Sequence, residues 1–460
     1  MVRLFNVYHS GRMALLAGLE AVLVTVSIVV ALGLSHRTNP FAILTHLTGV
    51  GQVLLTIGIY MLCLYYLDSY DARAFTNRVQ ILWRLISVPL IASIFLWGIG
   101  HFFPAMIVVH NIALAAVISL GLLIVCRFFF ARLVRTHPAS IILVGISDLG
   151  CELARETRRR PDLGIIVRGY IDDGQELPVA YVPVPCLGRI SGMNEVIAGS
   201  RIDLLVVDSK ERRGKLPVKE LLQPRIRGMR VVDIGTFCEQ VSGKIPFEKV
   251  FPSWLLFSDG FRLHRRLIIL RRFYSCILSA FGLLISLPVM ILVAIGIKLE
   301  SSGPVLYSQE RVGLDGRVFT LYKFRSMRQD AERNSGPTWA IDKDKRVTRI
   351  GRFLRASHLD ELPQLWNVLR GDMNLVGPRP ERPCFVKTLE ELSPYYAYRH
   401  LVRPGVTGWQ QVRQGYCSTV EEQLERLRYD LFYIKHISLS LDFYILFRTG
   451  RIILWGRGAK

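Results

Sequence analysis

Acidic residues are scarce beside basic ones. The 460-residue chain carries 37 Asp and Glu against 58 Lys and Arg, a formal net charge of +21. That imbalance calls for a polyanionic partner. Organised cysteine is also missing. The eight cysteines (Cys63, Cys126, Cys151, Cys186, Cys238, Cys276, Cys384, Cys417) form no CxxC pair and none lies beside a His at zinc spacing. A zinc module and a disulfide framework are thereby disfavoured, and the soluble parts are expected in a reducing cytoplasm. A cleavable signal peptide is not evident, because the first apolar run is long and lacks a small-residue cleavage pattern. Apolar residues, in contrast, are abundant. At 51% hydrophobic and 21% charged, the chain is too apolar for an ordinary soluble protein and too charged for a purely membrane one. A membrane anchor joined to soluble domains fits, and the length suggests about three domains. With membrane segments present, lipid headgroups and phosphates, rather than nucleic acid, are the expected anions.

Apolar runs near Met13–Leu34, Ile43–Leu67, Ile81–Phe103 and Met106–Phe130 each approach or exceed the ~20 residues that cross a bilayer. Arginines precede the first run (Arg3, Arg12), separate the second from the third (Arg73, Arg78) and follow the fourth (Arg132, Arg135). The other connections carry only Arg37 and His101. The positive-inside rule then puts both ends of a four-helix anchor, residues 1–135, in the cytoplasm. Arg84 lies near the start of the third run, where it can snorkel to the interface. No acidic or histidine chain suggests a transport path, so a plain anchor is expected.

Residues 136–250 read as a Rossmann-like cytoplasmic domain. Ile141–Val144 is a buried strand leading into Gly145-Ile-Ser-Asp-Leu-Gly150 and a helix bearing Leu153 and Ala154. Arg168–Asp173, Ile202–Asp208 and Met229–Ile234 read as later strands. Strand, glycine turn, helix and strand open a doubly wound sheet. The dinucleotide fingerprint is weak, because Ser147 replaces the middle glycine that lets backbone approach a pyrophosphate. Asp172 has roughly the separation to meet a ribose. A regulatory or oligomerising domain competes with cofactor binding, and the former is expected, with a homodimer through the anchor or this domain as one outcome.

The third domain, 251–460, opens with the basic stretch Arg262–Arg272 and the charge-free run Ser275–Ile297. Pro288 removes a helix hydrogen bond, and Ser286 can satisfy a freed carbonyl. A straight span would put everything after Lys298 outside. A kinked re-entrant helix over 273–297 would enter and leave on one face, and the basic residues on both sides favour it.

The stretch Ser357–Glu381 is the centre of this domain. Asp360 and Glu361 precede Pro363, and apolar residues follow at helical spacing until Gly371. Proline at the start and glycine past the end predict a short helix from about Pro363 to Arg370. Its N-terminus favours anions. Gly377-Pro378-Arg379-Pro380 is a rigid turn presenting one arginine. Upstream, Lys323 and Arg325 can aim two cations from one strand face while Tyr322 and Phe324 pack the other. Arg346, Arg349, Arg352 and Arg355 recur every three residues, near one helix face. Arg403–Trp409 is a second rigid turn. Glu421–Arg428 predicts a helix, Asp430 and Asp442 are single acids among aromatics, and Tyr444–Trp455 suits an interfacial helix. His358 and His400 are expected to be structural. Carboxylates, a dipole end and fixed cations suit phosphoryl chemistry with a metal. A capped helix and a Pro-rich turn are the other reading of the same residues.

KLESSGPVLYSQERVGLDGRVFTLYKFRSM, RVTRIGRFLRASHLDELPQLWNVLRGDMNLVGPRPE and RPGVTGW together resemble the bacterial sugar transferase family of polyprenyl-phosphate phosphoglycosyl transferases. The resemblance covers about residues 265–460. The four-helix anchor and degenerate nucleotide-like domain resemble the long, EpsB-like members that initiate exopolysaccharide, capsule or O-antigen synthesis. The resemblance implies transfer of a sugar-1-phosphate from a UDP-sugar to undecaprenyl phosphate, with release of UMP. It implies that Asp360 is the nucleophile, that Glu361 binds Mg²⁺, that Arg379 contacts a nucleotide phosphate, and that Lys323 and Arg325 are basic site residues. Arg355, Pro378, Pro380, Glu381, Arg403 and Asp430 complete the candidate substrate-binding set. Here Leu287 separates Ser286 from Pro288, a departure from the family's adjacent Ser-Pro that bears on the kink contacts. The chemistry agrees with the resemblance: phosphoryl oxygens repel an anionic nucleophile, so Mg²⁺ and arginines must offset that charge. A carboxylate nucleophile splits the transfer in two. Rival expectations are an Mg²⁺-dependent lipid phosphohydrolase and a catalytically inactive membrane scaffold or sensor.

Overall fold

The computed structural model describes residues 2–4, 7–9, 11–36, 47–67, 69–70, 78–102, 112–136, 138–159, 163–173, 182–199, 201–208, 217–248, 258–328, 346–414 and 419–455. The expected basic connections at Arg37 and Arg73, residues 342–345 and Cys417 lie outside them. The chain forms two compact units, one mainly Tyr8–Phe237 and the other mainly Cys238–Lys460.

Among the described residues, five helices are long and apolar enough to cross a membrane. Four open the first unit: α1 (Gly11–His36), α2 (Leu47–Tyr66), α3 (Arg78–Phe102) and α4 (Ile112–Thr136). They pack through Val24, Tyr60, Leu64, Leu85, Val88, Ala92 and Leu123. One charged feature escaped the sequence reading. Glu20 of α1 is buried against Arg127 of α4, with Arg127 Nη2 3.1 Å from Glu20 Oε2. Tyr70 donates to Glu20 at 2.6 Å, and Arg127 Nη1 donates to the Ser69 carbonyl. A buried charge is costly unless it is paired and its donors are used. Each guanidinium nitrogen of Arg127 has a partner, so this pair clasps two helices together.

The rest of the first unit is a parallel sheet of β1 (Ala139–Val144), β2 (Ile165–Ile171), β3 (Cys186–Gly188), β4 (Leu204–Val207) and β5 (Arg230–Asp233). Helix α5 (Asp148–Arg159) follows β1; α6 (Met193–Ala198), α7 (Val218–Ile226) and α8 (Ile234–Ser242) follow later strands. Strand order is β3-β2-β1-β4-β5, all parallel. This is the doubly wound arrangement read from the sequence, with the chain reversing direction across the sheet between β1 and β4.

The second unit is organised on α9 (Arg265–Glu300), one helix continuing through Pro288. Ser286 Oγ donates to the Leu283 carbonyl at 3.4 Å. The hairpin β6 (Leu306–Val312) and β7 (Val318–Phe324) turns at Asp315 and Gly316, both at positive φ. Then come α10 (Arg349–Ala356), α11 (Gln364–Arg370), β8 (Asn374–Val376), α12 (Pro383–Leu392), β9 (Gly405–Thr407), α13 (Trp409–Arg413), α14 (Val420–Lys435) and α15 (Leu439–Trp455). The core joins Val368, Met373, Val376, Trp409, Phe432 and Tyr433. Trp409 stacks on Phe432 with centroids 5.5 Å apart and donates Nε1 to the Gly243 carbonyl at 2.8 Å. Thr419 and Glu422 form a capping box at the start of α14, which a T-x-x-E signature announces.

The two rigid turns of the sequence meet in space. Strands β8 and β9 pair in parallel, Asn374 with Gly405 and Val376 with Thr407. A Cβ on Gly377 would lie 2.5 Å from the Arg403 carbonyl oxygen, and one on Gly408 would lie 2.3 Å from that of Gly377. Only glycine permits this backbone contact, which fixes Pro378-Arg379-Pro380 against Arg403-Pro404-Gly405.

Candidate active site

The acidic pair sits on a short turn between two helices. Helix α10 starts at Thr348, whose hydroxyl accepts from the Gly351 amide, and Glu300 of α9 accepts from the Arg349 and Ile350 amides at 2.6 and 3.0 Å. It ends at Ala356, and His358, just before the next turn, adopts a left-handed φ of 56°. A non-glycine residue there carries a cost of about 1 kcal/mol or more. The chain then makes one 3₁₀ turn, Leu359–Glu361, and enters α11 behind Pro363. Gly371 closes α11 in a left-handed C-cap, as its position in the sequence predicts.

The neighbouring acids have different surroundings. Glu361 Oε1 accepts from Lys323 Nζ at 2.7 Å and from Arg379 Nη2 at 2.6 Å, while Arg379 Nη1 lies 3.4 Å from Oε2. Asp360 is buried, and among the described residues its carboxylate has neither a hydrogen bond nor an ion pair. Burial pushes the Asp360 carboxyl above the usual range, Lys323 opposes that, and the Glu361 charge adds to it. Burial acts upward on Glu361 too, but Arg379 and Lys323 outweigh it and hold this group below the usual range. Burial and Arg379 lower Lys323 against the pull of Glu361. Lys323, Arg355 and Arg379 all act on Asp360, so three cations face two carboxylates. The excess positive charge suits a phosphate.

The remaining sequence-predicted residues separate into those at the dyad and those behind it. Arg325 leaves the strand edge and donates to the carbonyls of Ser302 at 2.6 Å and Ser301 at 2.9 Å, tying down the end of α9. Arg355 bonds Ser326 Oγ at 3.0 Å. Arg403 donates to the Gly371 carbonyl at 3.1 Å, capping α11. Glu381 pairs with Arg426 at 2.8 Å and Arg311 at 3.3 Å. Asp430 pairs with Arg399 at 2.9 Å. These three arginines grip the Pro378-Arg379-Pro380 turn from behind. Arg399 and Arg426 donate to the Arg379 carbonyl at 2.7 and 3.3 Å, and Arg311 to that of Pro380 at 3.0 Å. The Pro378 carbonyl accepts from Gly405 N at 3.0 Å. A residue before proline is already restricted to extended backbone, so the grip on its carbonyl further limits where the Arg379 guanidinium can point.

Two positioning residues were not read from the sequence. Asn367 is fully buried; its Oδ1 accepts from Tyr322 N at 3.0 Å and its Nδ2 donates to Thr320 O at 2.7 Å. The side-chain amide thereby mimics a strand peptide and registers α11 against β7, which carries Lys323. Arg272 of α9 donates to the carbonyls of Val368, Leu369 and Met373, around the end of α11. A basic stretch that the sequence reading used only to favour a re-entrant helix thus contains a helix cap.

The profile of the family described as bacterial sugar transferase matches residues 266–456, which enclose this site. A relative in Escherichia coli (strain K12), named UDP-glucose:undecaprenyl-phosphate glucose-1-phosphate transferase, is 32% identical over 380 residues, covering 77% of this chain and 79% of that one. This chain belongs to the bacterial sugar transferase family. A Klebsiella pneumoniae relative with the same name is 32% identical over 331 residues, 70% of this chain and 69% of the relative. The N-acetylgalactosaminephosphotransferase of Aeromonas hydrophila, named for UDP-N-acetylgalactosamine and undecaprenyl phosphate, is 50% identical over 173 residues. That match spans 38% of this chain and 41% of the relative. Residues 66–207 match a second profile, described as a CoA-binding domain.

The family resemblance implies a magnesium ion. No group of three or more His, Cys, Asp or Glu able to hold a metal occurs among the described residues. The donor set fits a different mode. Magnesium is commonly held by one or two carboxylates completed by water and substrate phosphates, and among the described residues Glu361 Oε2 has only the long Arg379 contact at 3.4 Å. The implied CoA-type nucleotide does not fit the turn after β1, where its phosphates would lie, because that turn is filled by a protein carboxylate, Asp208.

Proposed function

We propose that this member of the bacterial sugar transferase family transfers a sugar-1-phosphate from a UDP-sugar to undecaprenyl phosphate through a covalent intermediate on Asp360. The main support is the asymmetry of the acidic pair: Glu361 is tied to Lys323 and Arg379, whereas Asp360 is buried and unbonded among the described residues. A free carboxylate of raised basicity beside fixed cations is equipped as a nucleophile.

In the first step an Asp360 oxygen attacks the phosphorus that bears the sugar. The bond from that phosphorus to the bridging oxygen breaks, and its electron pair leaves with UMP. In the second step a phosphate oxygen of undecaprenyl phosphate attacks the same phosphorus, and Asp360 departs as a carboxylate. One phosphoanhydride replaces another, so no ATP is needed. Arg379 meets a nucleotide phosphate, and Lys323 keeps Glu361 ionised and oriented. Glu361 would hold magnesium together with the substrate phosphates, and the ion when bound would supply further neutralisation of their charge.

The contacts of α9 support a membrane geometry. Near its start, Arg271 bonds Asp442 at 2.7 Å and Ser275 accepts from Leu375 N at 3.3 Å. At its other end Glu300 bonds α10. These contacts lie roughly 40 Å apart along a helix rising ~1.5 Å per residue, yet both belong to the same compact unit. A straight span across a ~30 Å core would place them on opposite sides. A re-entrant α9 and a four-span anchor, with the site on the cytoplasmic side of the inner membrane, accommodate all of them. Exposed Phe273, Phe281, Leu284, Leu292, Phe353 and Trp366 provide apolar surface for lipid. The reaction would open exopolysaccharide, capsule or O-antigen assembly.

Product analysis tests the reading. Purified protein with a UDP-sugar and undecaprenyl phosphate should yield a lipid-linked diphosphosugar and UMP in equal amounts. Free sugar phosphate as the main product would indicate a phosphohydrolase, and no turnover of any UDP-sugar would favour the scaffold. In a cysteine-free background, Arg266→Cys and Leu299→Cys should both label from the cytoplasmic face; labelling from opposite faces would contradict the re-entrant helix.

A further inference from the structure

In doubly wound domains the turn after the first strand receives a ligand's phosphates, because the following helix presents free amides and a positive dipole end. Here that turn is Gly145–Gly150, between β1 and α5, and the position is taken. Asp208 directly follows β4, the strand paired with β1. Its Oδ2 accepts from Ser147 N at 2.7 Å and its Oδ1 from Ser147 Oγ at 2.6 Å. Ser147 Oγ lies 3.2 Å from Leu149 N and 3.4 Å from Gly150 N, accepting from both. Asp208 N donates to the Val144 carbonyl at 2.8 Å, and the residue is 5% exposed. A Cβ on Gly150 would lie 2.1 Å from Asp208 Oδ2. The last glycine of the fingerprint is therefore required for the approach of this carboxylate.

We propose that Asp208 is the resident anion of this cradle, and that the domain binds neither coenzyme A nor a dinucleotide through phosphates at the β1–α5 turn. The amides and hydroxyl that would hold a pyrophosphate are already used. An incoming phosphate would have to displace a buried carboxylate and then lie beside its negative charge. Ser147 and Asp208 are two halves of one arrangement: the hydroxyl links the carboxylate to two further amides, which a glycine at 147 would leave unserved. The sheet thus keeps its ligand-binding architecture while supplying the ligand's charge from its own chain.

Hydrogen–deuterium exchange of the full-length protein in detergent tests this, read on peptides covering residues 145–151 so that nucleotide binding at the catalytic unit is seen separately. Coenzyme A, NAD and ADP serve as probes. In the wild type, millimolar amounts of each should leave exchange of this segment unchanged; protection by any of them would overturn the proposal. Asp208→Asn keeps the shape and removes the charge. Without probes, its exchange at Ser147–Gly150 should accelerate about tenfold, the effect of weakening one charge-assisted bond. Exchange indistinguishable from wild type would show that the carboxylate does not hold the turn, and would equally overturn the proposal.

Discussion

Neutralising the two adjacent acids should change stability in opposite directions. Glu361 accepts from Lys323 at 2.7 Å and Arg379 at 2.6 Å. Hydrogen bonds to charged groups contribute about 1.5–3 kcal/mol each. Glu361→Gln keeps an acceptor oxygen but loses the charge and leaves two cations uncompensated, a net cost of about 2 kcal/mol. For a domain of this size the thermal midpoint should fall by roughly 4–8 °C. Asp360 has the opposite sign. Burial holds its carboxyl above the usual carboxylate range, so ionisation near neutral pH opposes folding, and Asp360→Asn should raise the midpoint by about 2–4 °C for each kcal/mol relieved. The assay is differential scanning fluorimetry of detergent-solubilised protein, without substrate or magnesium. The Glu361 contribution is present above its unfolded value of about 4.5 and is lost as pH falls through the lower folded value. The gap between wild type and Glu361→Gln should therefore persist at neutral pH and close only in acid. Shifts of the same sign for both variants would refute the assignment of one acid as tied and the other as free.

Other outcomes follow from the same contacts. Arg399→Gln, behind the Arg379 turn, should lower kcat with a smaller change in KM for the UDP-sugar, whereas Arg379→Lys should raise KM as well; steady-state kinetics separates them. Asn367→Leu should leave the Tyr322 amide and Thr320 carbonyl unpartnered, destabilising the catalytic unit by about 2–4 kcal/mol, measured by denaturant unfolding. Trp409→Ala should cost about 3–5 kcal/mol in the same measurement, although Trp409 lies in a sequence motif shared with the site.

The parallel sheet was legible because its strands are short apolar runs that end in glycine or acid: β4 and β5 fall within the expected stretches, while β1 and β2 overlap theirs but begin earlier, at Ala139 and Ile165. Helix α11 was legible from Pro363 and Gly371, which act locally. The pairing of charges was not. Nothing in the spacing of Glu20 and Arg127, or of Arg271 and Asp442, links partners more than a hundred residues apart. Arg325 shows the same limit from the other side. Alternation predicts a cation aimed with Lys323, but the strand ends at Phe324 and the guanidinium turns to the Ser301 and Ser302 carbonyls. Ser147 read as a lost glycine, and only the structure supplies its partner at Asp208.

The central claim, that Asp360 is the covalent nucleophile, is tested most directly by intact-protein mass spectrometry after incubation with a panel of UDP-sugars and magnesium, with no lipid acceptor. The account predicts a mass gain of one sugar phosphate with the cognate donor, absent in Asp360→Asn. No gain with any donor, in protein that turns over once undecaprenyl phosphate is added, would contradict it and point to direct transfer.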